Sequence, residues 1–223
     1  MITSHHNPTL QDIRRLLARR RTDAPGRFVA EGEDLLAAAD AAGWTPLVRL
    51  RAGDDVSAEA LAKVSSLGSG TRELGIYEER WAAPAGPLAV ALWGVSDPGN
   101  VGTVIRGALA FGAASVVIGP GTADPYGPKA VRASMGAIFA IPVARATALG
   151  ELPAPRIALA AREGEPLSAI DGAATLLIGA EREGLPRDVV AGCDAVRHIP
   201  IHSESLNAAM AATVALYEVS RRA

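Results

Sequence analysis

The stretch "LAVALWGVSDPGNVGTVIRGALAFGAASVVIG", residues 88–119, contains one complete unit of the fold. Its ends, "LAVALWGV" (88–95) and "SVVIG" (115–119), are nearly continuous apolar runs. Runs of this kind are buried on both faces of a parallel sheet, whereas a strand with one wet face alternates. Between them, residues 100–111 place Val101, Val104, Ile105 and Ala108 on one side of a helix, with Asn100 suited to the N-cap. Strand, helix and strand in that order make the crossover unit of an α/β domain. The pattern continues downstream in the apolar runs "RIALAA" (156–161) and "ATLLIG" (174–179). Helices are expected at 128–138, at 186–191 and from about 205 to the end.

Upstream the segments are shorter and mixed. "NPTLQDIRRLLARR" is an amphipathic helix with Leu10, Ile13, Leu16 and Leu17 along its apolar stripe, and "RFVAEG" is a short strand. A helix over "EDLLAAADAAGW", a strand over "TPLVRL" and a helix over "SAEALAKVSSLG" follow. The Pro- and Gly-rich "WAAPAGP" (81–87) reads as a linker. The expected organisation is a small α/β domain over 1–82 and a parallel-sheet α/β domain over 83–223.

Composition bounds the function. With 49% hydrophobic residues the chain excludes disorder, and with only 4% aromatics its packing relies on Ala, Val, Leu and Gly. Cys193 is the single cysteine, so neither an intrachain disulfide nor a cysteine-based metal site is available, and no metal centre is expected. No apolar run reaches the ~18 residues of a membrane span, and the start lacks the apolar core of a secretory signal. The expected location is the cytoplasm, with no membrane partner. Net charge is only −2, but residues 1–27 carry Arg14, Arg15, Arg19, Arg20, Arg21 and Arg27 against Asp12 and Asp23. Such a cluster is the footprint of a phosphate-backbone contact; a solvated helix face is the equal alternative.

Three segments carry chemistry. In the first, Arg106 lies off the apolar side of its helix near Gly102 and Gly107, which leave room for a bulky partner; a guanidinium there suits a phosphate or carboxylate. The second is "TLLIGAEREGLP" (175–186), where a buried strand ends in Gly179, a carboxylate follows at Glu181, and Gly184 opens a turn. Ligands bind beyond the carboxyl ends of parallel strands, where backbone amides are free. The third is "HIPIHSESLNAAMAATVALYE" (198–218), in which a strand "HIPI" leads through a polar loop to a helix with Ser205 as N-cap. Asn207 inside that helix is poorly explained by propensity. Each segment taken singly has an ordinary structural explanation.

Together, in this order, the three segments resemble the three motifs of the SpoU/TrmH family of S-adenosylmethionine-dependent RNA ribose 2′-O-methyltransferases, in the SPOUT superfamily. "GPKAVRASMGAIFAIPV" resembles the family's middle segment, and the likeness covers about residues 87 to 222. "HNPTLQDIRRLL" and "RFVAEGEDLL" resemble, less specifically, the small RNA-binding domain that many members carry in front. The resemblance implies a C-terminal trefoil knot, a rare exception to unknotted topology. It also implies a homodimer through the C-terminal domain, each site completed across the interface. S-adenosyl-L-methionine would be held by Gly179, Ile199, Ile201, Ser205 and Leu206. Arg106, Asn100, Ser205, Asn207 and Glu181 fall on catalytic positions, and Arg14, Arg15, Arg19, Arg20, Arg21 and Arg106 would meet RNA. Arginine side chains stay protonated in proteins, so Arg106 is read as the grip on the phosphate beside the target ribose rather than as the base. A front domain of this kind favours ribosomal RNA over transfer RNA.

The chain departs from the family between "IP" and "SLN", where "IHSE" replaces a longer glycine-containing loop and brings His202 and Glu204 near the donor. His202 is either a proton acceptor or a solvent-exposed loop residue. The competing function is a non-catalytic RNA-binding protein of the same fold, against which stands the retention of all five catalytic positions. A nicotinamide-dependent oxidoreductase lacks support, because no G-x-G-x-x-G follows a first strand.

Overall fold

The computed structural model describes residues 1–4, 6–18, 26–67, 70–170 and 172–221. Among the described residues the chain forms a three-stranded and a seven-stranded sheet, and no helix is long and apolar enough to cross a membrane. The first part runs α1 (Pro8–Leu17), β1 (Arg27–Glu31), α2 (Glu33–Ala41), β2 (Val48–Arg51), α3 (Ala58–Ala62) and β3 (Glu73–Glu78). Asn7 caps α1 by accepting from the Thr9 amide at 2.9 Å, and Leu10, Ile13 and Leu16 are buried as expected.

The pattern gave no warning of β3, which lies between β1 and β2 and pairs antiparallel with both. Its sequence "ELGIYE" is broken by Gly75, but Gly75 is required there. A Cβ at that position would lie 2.7 Å from the Tyr77 ring. Cross-strand charge completes the pairing. Glu73, buried, accepts from Arg51 Nε at 2.7 Å and from Arg49 Nη2 at 2.9 Å. These hydrogen bonds, from Arg49 first and Arg51 second, hold its carboxyl below the ordinary carboxylate range.

Alternation then splits the small sheet between two cores. Val29, Leu74 and Ile76 pack with Leu10, Ile13, Leu16 and Leu61 on one face. Phe28, Ala30 and Tyr77 turn the other way, joining Trp44 and, from the second part of the chain, Tyr126 and Phe139. Ring centroids stand 4.8 Å apart for Phe28–Tyr126 and 5.2 Å for both Trp44–Phe139 and Tyr77–Phe139. The Trp44 indole donates to the Phe139 carbonyl at 2.8 Å. Five of the nine aromatic residues therefore lie where the small sheet meets the large one.

The second part runs β4 (Leu88–Leu92), α4 (Pro98–Ala110), β5 (Ser115–Ile118), α5 (Pro128–Ala133), α6 (Ala137–Ala140), β6 (Val143–Arg145), β7 (Arg156–Leu159), β8 (Glu165–Pro166), β9 (Ala174–Ile178), α7 (Arg187–Ala191), β10 (Ala195–His198) and α8 (Ala208–Ser220). The sheet order is β6-β5-β4-β9-β7-β10-β8, with every pairing parallel. The four runs read as strands form its centre, and every residue of β4, β5 and β9 is buried. Register places Arg145, Ile118, Leu92 and Ile178 at one level, so the loops that follow share one rim.

Several local expectations are corrected. Helix α4 starts at Pro98 with Asp97 as its cap, so Asn100 lies inside the first turn. The expected helix over 128–138 breaks because Met135 (φ 49°) and Gly136 (φ 88°) leave the right-handed helical region, and glycine is needed at 136, where a Cβ would meet Ala38 of α2 at 2.5 Å. The strand expected over "HIPI" is shifted back to end at His198. Helix α8 begins at Ala208, capped by Asn207 and not by Ser205. The segment read as a linker is tied down at its start, where the Ala82 amide donates to the Val143 carbonyl at 2.8 Å.

Gly102 and Gly107 serve helix packing and do not clear space for a ligand. A Cβ on Gly102 would meet the Ala130 carbonyl oxygen at 2.3 Å and Ala133 at 2.7 Å, so α5 rests directly on this backbone. A Cβ on Gly107 would lie 3.4 Å from the Thr213 hydroxyl of α8. Gly102→Ala should therefore cost about 3 kcal/mol or more in urea unfolding, while Gly150→Ala, with no atom within 4 Å, stays near the parent. Glu73 supplies a pH signature. A carboxyl with a lowered native pKa stabilises above its unfolded pKa and loses that contribution as pH falls through the native value. Glu73→Gln should be less stable than the parent at pH 7, with the gap closing in acid once Glu73 is protonated in both states.

Candidate functional site

Three loops on the common rim converge. The first follows β4 and opens α4. Asp97 caps the helix by accepting from the Asn100 amide at 3.0 Å, and Lys129 Nζ sits on its other oxygen at 2.8 Å. Lys129 first, then the Asn100 amide, hold the Asp97 carboxyl below its ordinary range. Asn100, half-buried at the third helical position, is thus left with its side chain free to reach outward.

The second loop follows β9. A Cβ on Gly179 would fall 2.3 Å from the Gly184 carbonyl carbon and 2.4 Å from the Leu185 nitrogen, so only glycine allows the chain to fold back here. The loop closes through Ala180 and Gly184, each donating its amide to the other's carbonyl at 3.1 and 3.0 Å, with Gly184 at φ 68°. This tight turn presents the Glu181 carboxylate to Asn100, whose side-chain amide donates to it.

The third loop, 199–207, leads into α8. Asn207 Oδ1 accepts from the amides of Ala209 at 3.0 Å and Met210 at 3.3 Å, satisfying the helix start. Its Nδ2 donates to Asn100 Oδ1 at 3.1 Å. The residue that propensity left unexplained therefore both caps α8 and joins a directed chain running from Asn207 through Asn100 to Glu181.

Beside this chain lies a cavity of about 370 Å³. Gly179, Ile199, Ile201, Ser205 and Leu206 all line it, as do Glu181 and Glu204. Sequence reasoning missed Leu159, Ala160 and Ala161, which form the wall beyond β7, and Arg182 at the rim. Their only signal was position at the end of an apolar run, which becomes informative once β7 is known to pair with β9. His202 is exposed and lines a neighbouring surface recess, not this cavity.

Arg106 is not brought to this cavity. It is exposed on α4, and no hydrogen bond or ion pair engages it among the described residues. The same helix and α8 expose apolar side chains. Leu109, one turn further on, is 42% exposed, and Met210, Val214 and Tyr217 form an exposed stripe on α8, which packs on α4. Tyr217 also meets Phe111 at 5.8 Å between ring centroids. Of the arginines near the start, Arg15 pairs with Asp12 at 2.8 Å and Arg14 donates to the Lys63 carbonyl at 3.4 Å. Arg19, Arg20 and Arg21 lie outside the described residues.

Known proteins share this fold. A crystal structure of an rRNA methyltransferase from Sinorhizobium meliloti, described as AdoMet-bound, is similar with a TM-score of 0.88 and 31% identity, covering 99% of this chain and 97% of that one. The SpoU methyltransferase AviRb from Streptomyces viridochromogenes, in complex with AdoMet, matches with a TM-score of 0.86 and 27% identity over 97% and 98% of the two chains. An uncharacterized tRNA/rRNA methyltransferase of Mycobacterium tuberculosis is 40% identical over 146 residues, 60% of this chain and 45% of that protein. The chain spans about half the length of the curated relatives it matches. The model of the SpoU rRNA Methylase family matches residues 87–217, more than half of the sequence and all three converging loops, and the chain belongs to that family.

Proposed function

We propose that this chain transfers a methyl group from S-adenosylmethionine to a ribose 2′-hydroxyl of structured RNA, with ribosomal RNA preferred to transfer RNA. The observation that carries the reading is the cavity at the ends of β7, β9 and β10 set beside the Asn207–Asn100–Glu181 chain. The family, the donor-bound relatives and a similar structure described as an RNA 2′-O ribose methyltransferase support it.

The residues fit the donor. A volume of about 370 Å³ lies in the range of small-molecule sites. Ile199, Ile201 and Leu206 offer an apolar wall to an adenine, and the bare backbone at Gly179 permits close approach. Glu181 and Glu204 bring negative charge to the rim, which suits a ligand carrying a positive sulfur and an ammonium group. When bound, S-adenosylmethionine supplies an electrophilic methyl group on that sulfur. Asn100 and Asn207 hold Glu181 in one orientation, and Ser205 presents a hydroxyl to the same space. Productive transfer needs the ribose oxygen in line with the methyl carbon, so fixing these groups lowers the barrier by positioning.

Arg106 fits a second copy of the chain. On the exposed face beside Leu109, Met210, Val214 and Tyr217 it would be carried by a homodimer interface toward the partner's cavity. There it would grip the phosphate next to the target ribose and stabilise developing charge. The same reading includes a knotted C-terminal part over 83–223, a front domain over 1–82 whose arginines meet RNA phosphates, and a cytoplasmic setting.

Titration calorimetry with S-adenosylmethionine and mapping of 2′-O-methyl groups in ribosomal RNA test the proposal directly. Binding with new ribose methylation is the expected result; no heat at millimolar donor would leave an RNA-binding protein. Arg106→Lys should keep donor affinity nearly intact while lowering turnover about a hundred-fold or more, and unchanged turnover removes Arg106 from the mechanism. Val214→Glu should shift the chain to monomers in analytical ultracentrifugation and abolish methyl transfer with it; a monomeric, fully active variant contradicts the shared site.

A further inference from the structure

Beyond β5 and β6 the same rim carries a second cavity, of about 430 Å³, lined among others by Trp81, Ile118, Asp124, Arg145 and Thr147. There the Arg145 guanidinium carbon lies 3.7 Å above the centre of the Trp81 ring. Trp81 itself is fixed. Its indole N–H donates to Glu79 at 2.8 Å, and its ring meets Tyr126 edge-on at 5.1 Å. This stack and a 3.9 Å ion pair with Glu79 hold Arg145, and its side chain remains 60% exposed. No hydrogen bond engages its guanidinium among the described residues. A planar cation laid on an indole presents a second flat face, with five N–H donors around its edge.

Position selects the ligand. Register sets Arg145 level with Ile118, Leu92 and Ile178, three strand spacings from the proposed donor cavity, or about 14 Å. A third cavity, lined by Leu17 and Ser66 of the front part and by Ser96, Lys129 and Arg132, shares Asp124 with the Trp81 cavity. The proposed methylation site and the aromatic–guanidinium stack thus stand on one rim, with Lys129 on Asp97 and Arg132 on Ser66 in the cavity next to the stack. The charges at the stack argue for a base and against a phosphate. Glu79 pairs with Arg145 and Asp124 lines the same cavity, and their negative charge repels a phosphate at this range. An exposed planar stack is what unpaired bases use in single-strand recognition.

We propose that Arg145, seated on Trp81, is a stacking platform for an unpaired nucleobase that flanks the methylated nucleotide. The proposal rests on the RNA methyl-transfer reading above. It assigns the far end of the rim to substrate selection: an RNA with a base splayed at that distance is held in register, and a fully paired helix is not.

Fluorescence anisotropy on the full chain tests it with two labelled probes, a decauridylate and a decamer of the same sugar–phosphate backbone lacking bases. The unaltered chain should prefer the base-bearing strand. Arg145→Ala should weaken decauridylate binding about ten-fold and leave the abasic strand nearly unchanged, erasing the preference. Arg145→Lys keeps the charge without the plane and should behave like the alanine variant. Equal weakening of both probes would make Arg145 a phosphate contact and overturn the platform, as would no change. Donor titration and ribosomal-RNA methylation run on the unaltered chain keep the two ideas apart. Their failure sinks the functional reading, whereas their success with an unchanged base preference in Arg145→Ala sinks the platform alone. Donor binding by both variants, expected to match the parent, reports that they are folded.

Discussion

The side-chain amide of Asn100 holds the site together because its two ends are spoken for by different parts of the chain. Its NH2 donates to Glu181 on the loop after β9, and its oxygen accepts from Asn207 at the start of α8. An aspartate could not donate to Glu181 and would set two carboxylates against each other; an alanine would leave three loops without a common partner. The chain is directional throughout, since Asn207 must turn its own oxygen to the α8 amides in order to offer its NH2 to Asn100. What makes the contact reachable is the sheet. Parallel pairing of β4 with β9, Leu92 opposite Ile178, ends both strands at one level.

Much of this was legible in the sequence, and the failures have physical reasons. Apolar runs announced the buried strands because burial on both faces leaves no room for alternation. Gly179, Ile199, Ile201, Ser205 and Leu206 were named through the resemblance of their segments to known motifs, whereas Leu159, Ala160 and Ala161 escaped notice because the end of an apolar run does not by itself mark a ligand wall. The caps were misassigned where two good capping residues stand close together, Asp97 with Asn100 and Ser205 with Asn207. Backbone angles decide such cases, and composition does not. Strand β3 was hidden because its glycine answers to the Tyr77 ring and its glutamate to two arginines on the neighbouring strand, contacts that no local window contains. Gly102 looked like space for a ligand because a missing side chain reads the same whether a substrate or another helix fills the gap. Arg106 was expected at the site, yet it stands on an outer face of its own chain, because helical periodicity fixes which side of α4 is buried and not what its polar side meets.

The front part is bound to this machinery by the few aromatic residues the chain has. Phe28, Trp44 and Tyr77 interlock with Tyr126 and Phe139, and the Tyr126 hydroxyl donates to the Arg80 carbonyl just before the segment that leads into β4. Nearby, the Arg132 guanidinium donates at 2.9 Å to the Ser66 hydroxyl, which in turn is held by the buried Glu31 carboxylate. Packed rings and a relayed hydrogen bond thus join the small sheet to the helices that cover the large one. Low aromatic content thus reflects concentration at one junction, with Ala, Val and Gly sufficing in the helix and sheet layers.

Hydrogen exchange with and without S-adenosylmethionine tests the central claim most directly. Added donor should slow exchange in two separated segments, 178–184 and 199–211, while the backbone around 118–124 on the same rim is unaffected. Protection confined to 118–124, or none anywhere at saturating donor, would contradict the assignment of the cavity beside Asn100.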